Sequence, residues 1–181
     1  MLVTLTPHPE TPGPPVTIAV EVLRPRIPGL SLRFRVAGDI SGIRVPERVR
    51  PSRARELWRT TCFEAFVAKE GGGYCELNLS PEGRWDAYEF TAYREGMYAH
   101  PGVEMRDPER TRDDRSLVCA ATFDLDRVLG CDAVPWRVGL SAVVEDLDGR
   151  ISYWALAHAP GKPDFHHPDS FALELPAPEA S

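Results

Sequence analysis

Residues 57–93 read LWRTTCFEAFVAKEGGGYCELNLSPEGRWDAYEFTAY, three strand-like runs separated by two turn signals. Gly71, Gly72 and Gly73 close one hairpin, and Pro81, Glu82 and Gly83 close the next, because glycine and proline supply turn conformations that strand residues do not. Centring the first turn near Gly71 sets Glu64 opposite Asn78 and Phe66 opposite Glu76. Phe63, Ala65, Val67, Cys75, Leu77 and Leu79 then share one face, as a half-buried sheet requires. The opposite face carries Thr60, Cys62, Glu64, Glu76, Asn78 and Ser80. Continuing the ladder with Ser80 opposite Trp85 adds Trp85, Glu89, Thr91 and Tyr93 to that polar face and sets Glu76 against Glu89.

Outward from this stretch, the 18 prolines and 14 glycines separate short runs rich in β-branched and aromatic residues. Further strands are expected at Val16 to Leu23, Leu30 to Ala37, Leu117 to Leu125, Trp136 to Glu145, Ile151 to Ala157 and Phe171 to Leu175, with one helical turn at Asp124 to Leu129. About nine strands on this spacing predict an all-β fold, an antiparallel two-sheet β-sandwich of jelly-roll or immunoglobulin-like type. One domain over 16–175 is expected, between a flexible segment 1–15 and a tail 176–181.

With 181 residues, 43% of them hydrophobic, the chain has enough apolar material for one core. A formal net charge of -6 argues against a nucleic-acid partner. Residues 1–15 show no basic region followed by an apolar run, and no stretch approaches the roughly 20 apolar residues of a membrane helix, so a cytoplasmic protein without membrane contact is expected. Cys62, Cys75, Cys119 and Cys131 show no close pairing and are expected as reduced, small apolar residues. The five arginines of Arg44 to Arg55 and the mixed charges of Arg106 to Arg115 are expected in solvated loops.

Opposed carboxylates repel, so Glu76 and Glu89 need a proton, a cation or an arginine between them. Arg33 and Arg35, which point away from Leu32, Phe34 and Val36, could supply it. Carboxylates, an amide, arginines and an indole on one face suit a small polar, polyhydroxylated ligand such as a saccharide, with Arg33, Arg35, Glu64, Glu76, Asn78 and Glu89 hydrogen-bonding it and Trp85 stacking on it. The plain alternative is a solvent-facing sheet surface held by salt bridges.

Beyond the Asp148-Gly149 hairpin signal, the loop rim holds His158, Lys162, Asp164, His166 and His167. A metal held by His158, Asp164 and His166, or catalysis by the Glu64 and Glu76 carboxylates, is the enzyme alternative. No nucleophile elbow, HExxH or phosphate loop supports it, so no catalytic residue and no cofactor is assigned.

The segments Leu57 to Met97 and Gly139 to Leu175 resemble the bacterial DOMON-like domain proteins, which are similar to the family 9 carbohydrate-binding modules. The resemblance is carried by Leu-Trp followed by Phe-Glu-x-Phe, then a strand ending in Asn-x-Ser-Pro-x-Gly. It implies a β-sandwich that binds sugar or haem rather than a hydrolase. By position, Trp58, Glu64, Asn78 and Trp85 match its motif region; haem-binding relatives use Met and His axial ligands, and here Met97, Met105 and several histidines are present with no spacing that singles any of them out.

Overall fold

Alternating apolar residues and regular turn signals give this chain almost nothing but strands. The computed structural model describes residues 1–25, 29–129 and 134–177. Among them, thirteen strands run β1 (Leu2–Pro7), β2 (Val16–Leu23), β3 (Gly29–Gly38), β4 (Ser52–Arg53), β5 (Cys62–Ala68), β6 (Tyr74–Leu79), β7 (Arg84–Phe90), β8 (Tyr98–Ala99), β9 (Glu104–Arg112), β10 (Ser116–Asp124), β11 (Trp136–Glu145), β12 (Ile151–Ala155) and β13 (Leu173–Leu175). Helix is limited to α1 (Asp126–Leu129) and the 3-10 turns Leu57–Arg59 and Pro168–Ser170.

The strands do not divide into the two separate sheets of a sandwich. They follow one hydrogen-bonded path, β4-β7-β6-β5-β11-β12-β1-β2-β3-β10-β9, with β13 beside β11 and β8 beside β7. The seam is β1: Leu2 to Leu5 pair with β2, and Thr6 and Pro7 pair with β12. Leu2–Pro7, within the segment expected to be flexible, is therefore the strand that joins the two halves. β4 lies parallel to β7, so the sheet is mixed rather than wholly antiparallel.

The sheet curls until its halves face each other. Ile18, Val20, Leu32 and Phe34 of one half meet Phe63, Ala65, Leu77 and Leu140 of the other in a closed interior, with the Phe34 and Phe63 rings stacked at 4.9 Å. Burying such side chains contributes roughly 1.5–3 kcal/mol each. Cys62, Cys75 and Cys119 are free and buried, while Cys131 and residues 178–181 lie outside the described residues.

The first hairpin has the register its glycines dictate, with Glu64 opposite Asn78 and Phe66 opposite Glu76. The second differs by one residue. Its loop holds three residues, Ser80 N–H donating to the Arg84 carbonyl at 2.8 Å with Gly83 at φ 101, so Leu79 rather than Ser80 faces Trp85 and Glu76 faces Tyr88 rather than Glu89. One step of register inverts every side chain. Asp86, Tyr88 and Phe90 join Glu64 and Glu76, while Trp85 turns toward the interior and meets Phe123 edge-on, ring centroids 6.0 Å apart.

The two charged segments also depart from solvated loops. Residues 104–112 form β9, a mostly exposed edge strand, and Arg53 of the arginine-rich segment lies over the Trp85 ring at 4.2 Å and pairs with buried Asp86 at 2.8 Å.

Candidate functional site

The outer face of the β7-β6-β5-β11-β12 half is polar in sequence yet buried. Glu64, Glu76, Asn78, Asp86 and Ser141 are each 3% exposed or less, which removes the reading of a solvent-facing sheet surface. Their cover is the irregular segment after β12, which lays Phe165 and Phe171 against Phe66, Tyr74, Tyr88 and Phe90 as a second apolar cluster. Between sheet and cover lies a cavity of about 550 Å³, within the range of small-molecule sites.

Glu64 and Glu76 line this cavity from the sheet side. The Ser141 hydroxyl donates to Glu64 Oε2 at 3.1 Å, and the Asn78 amide donates to Glu76 Oε1 at 2.7 Å. Cys62 Sγ donates to the Asn78 carbonyl oxygen at 3.4 Å, which fixes which end of the amide meets the carboxylate. Among the described residues no lysine or arginine bonds to either acid. Burial therefore raises the Glu64 pKa well above the carboxylate range, with Glu76 nearby adding to the effect, and burial raises Glu76 to about 7 despite the Asn78 bond.

His166 enters from the cover, wedged between rings with centroids 5.2 Å from both Phe66 and Phe90. Desolvation, with Arg94 adding to it, lowers its pKa to about 4, so the imidazole is neutral. Its Nδ1 lies 2.7 Å from the Tyr74 hydroxyl, which already accepts the Arg94 backbone N–H at 3.2 Å. The phenol proton is thus free to go to Nδ1, leaving the ring proton on Nε2, 4.0 Å from Glu76 Oε2.

The remaining lining is aromatic and cationic. Half-buried Trp58, on the 3-10 turn, meets Tyr88 edge-on at 5.3 Å, and half-buried Tyr153 meets Phe165 at 5.9 Å. Phe90, Met97, Val143 and Pro163 complete the apolar surface, with Arg94 and Lys162 as its cations. Arg94 adopts φ 56 in a tight turn and donates to Asp164 at 2.7 Å. Asp164 also accepts from the Tyr93 hydroxyl and the His166 backbone N–H, ties that hold its carboxyl below the usual range against the opposing effect of burial.

Of the residues singled out from sequence, Trp58, Glu64, Glu76, Lys162 and His166 line the cavity. Asn78 stands behind Glu76, and Asp164 behind Arg94. Four lie elsewhere. Arg33 sits on the far half, bidentate to Glu109 at 3.0 and 2.5 Å, and Arg35 is exposed beside it. Trp85 packs inward. Glu89 shares its face and is held by Lys69 and by the Tyr98 hydroxyl at 2.7 Å.

His158 Nε2 bonds the Thr6 carbonyl at 2.9 Å and its ring meets His8, so it does not join His166. Among the described residues no three His, Cys, Asp or Glu side chains converge to hold a metal. Arg94, Tyr153, Phe90 and Phe165 escaped the sequence reading. Only the corrected register of β7 could have recovered Phe90, and nothing local marks the others.

No protein-family model matches the chain, and no curated protein matches it. The solved structures that match the chain include two with its fold. One is a Bacteroides uniformis protein provisionally described as carbohydrate-binding, with a TM-score of 0.67, 14% identity, and coverage of 94% of this chain and 83% of that one. The other is a family 9 carbohydrate-binding module from Caldicellulosiruptor kristjanssonii in complex with glucose, with a TM-score of 0.59, 8% identity, and coverage of 94% and 81%.

Proposed function

We propose that this chain is a non-catalytic binding module that takes a saccharide in the cavity between β5, β6 and the segment after β12. The observation that carries the reading is the meeting, in one cavity, of the buried carboxyls of Glu64 and Glu76 with the half-buried His166, Trp58 and Tyr153 rings. Sugar hydroxyls both donate and accept, matching a floor of carboxyls and a neutral imidazole N–H, and sugar C–H faces pack on rings. Two proteins of this fold are described as carbohydrate-binding, one with glucose bound, which supports the same reading.

Isothermal titration with glucose, other monosaccharides and their disaccharides should give a saturable, one-to-one heat for at least one sugar. Trp58→Ala should weaken that binding about tenfold or more, the loss of roughly 1.4 kcal/mol expected when a central ring contact goes. Absence of saturable heat across the panel would falsify the proposal.

A second reading is haem, favoured by the placement of Met97 and His166 in the same cavity. The donor set fits it poorly. His166 Nε2 faces Glu76, and haem propionates would meet two buried carboxyls with no arginine or lysine bound to them. A Soret band on adding haem to the purified protein, abolished in His166→Ala, would establish it in place of the sugar.

A further inference from the structure

The cavity is electrically unbalanced. Glu64 takes its bond from Ser141 and Glu76 from Asn78, both neutral donors. Each acid keeps one oxygen without a hydrogen bond from the described residues. Neither nearby cation bonds to them: the Arg94 guanidinium is committed to Asp164 at 2.7 Å and offsets the effect of burial on Glu76 only in part, and Lys162 is exposed at the rim. The closest basic group is His166 Nε2 at 4.0 Å from Glu76, on a ring that stays neutral. Asp86, also behind this face, is answered by Arg53 and not by the cavity.

Two buried carboxyls sharing a site cannot both ionise without a cation between them. A neutral hydroxyl gives each acid one hydrogen bond and leaves the charge where it was. An ammonium brings three donors and the missing positive charge together. The rings of Trp58 and Tyr153 also line the cavity, and an aromatic face attracts cations as well as C–H surfaces.

We infer that the cavity selects a sugar carrying a free ammonium group, held by Glu64 and Glu76, over the corresponding neutral sugar. This rests on the saccharide reading above and names the class of saccharide. When such a sugar binds, the carboxyls shed the proton that keeps them neutral in the empty cavity, and that proton passes to solvent.

The test is titration calorimetry with glucosamine, glucose and N-acetylglucosamine at about pH 6.5, where a sugar amine is charged, in two buffers of different ionisation enthalpy. Glucosamine should bind about tenfold or more tightly than glucose. N-acetylglucosamine, which has lost the charge, should show no such gain. The glucosamine heat should differ between buffers in the sense of proton release. In Glu64→Gln and Glu76→Gln, each first shown to melt cooperatively, the preference for glucosamine should shrink toward unity.

Equal affinities for glucosamine and glucose would overturn the charge selection while leaving a neutral-sugar module standing. A preference that survives in both glutamine variants would overturn the assignment to these carboxyls. Failure of all three sugars and of the wider panel to bind would overturn both the inference and the reading beneath it.

Discussion

Arg53→Ala is expected to cost about 3–5 kcal/mol of stability, the range for removing one partner of a buried ion pair. The Arg53 guanidinium donates to Asp86 Oδ1 at 2.8 Å and to the carbonyls of His100 and Val103 at 2.9 and 2.5 Å. It also covers the Trp85 ring at 4.2 Å. The Asp86 side chain is 4% exposed, so alanine would leave its carboxylate buried with the Ala87 N–H in place of a charge.

One third of the Arg53 side chain remains exposed, which places the expectation toward the lower end of that range. Arg53→Lys should restore only part of the loss, since an ammonium cannot reach three acceptors in the plane of a guanidinium fork. Urea unfolding of the three proteins reads this out. A loss below about 1 kcal/mol for alanine would mean that water screens the pair. Because Asp86 neighbours Tyr88, and Tyr88 meets Trp58 at 5.3 Å, the alanine variant should also bind sugar less tightly.

The second large effect has the opposite sign. Glu76→Gln should stabilise the empty protein at alkaline pH by on the order of 3 kcal/mol, taking about 1.4 kcal/mol per pKa unit over the rise from 4.5 to about 7. A carboxyl raised on folding binds its proton more tightly in the native state than in the unfolded chain. Its stabilising linkage is complete below the unfolded value and is lost as pH rises through about 7. The wild type should therefore weaken between roughly pH 4.5 and 7, with Glu64 extending the decline upward.

Glutamine keeps the acceptor for Asn78 and removes the titration, so the variant's stability should stay flatter over that interval. The difference between the two proteins should vanish near pH 4, where both side chains are uncharged. Thermal melts at a series of pH values decide this. A wild-type curve as flat as the variant's would show that Glu76 is solvated in the native state.

How much of this was legible in the chain depended on how local the determinant was. Gly71 to Gly73 specify a tight reversal, and the alternation on either side leaves only one register with Phe63 and Leu77 inside. The second reversal also carried its answer: in Pro81-Glu82-Gly83 the terminal glycine supports a three-residue loop, and one residue of slack in reading it was enough to misplace Trp85 and Glu89. Arg33 and Arg35 alternate correctly with Leu32 and Phe34, but alternation does not say which half of a curled sheet a strand joins.

The burial of Glu64 was beyond local reading altogether. Its cover comes from Phe165 and His166, about a hundred residues later in a segment without periodicity. A polar outer face and a roofed polar cavity look the same until that segment is placed.

The seam strand imposes an order of events on the nascent polypeptide. β1 is made before both of its neighbours, yet one of them, β12, is separated from it by 149 positions at the Thr6 and Ala155 contact. Loop-closure entropy makes such distant pairing slow. Leu2 to Leu5 can dock on β2 early, while Thr6 and Pro7 wait with open backbone groups until β12 has been synthesised. Until then the half-built sheet exposes a raw margin, the state in which chains of this kind adhere to one another and in which a chaperone would do most good.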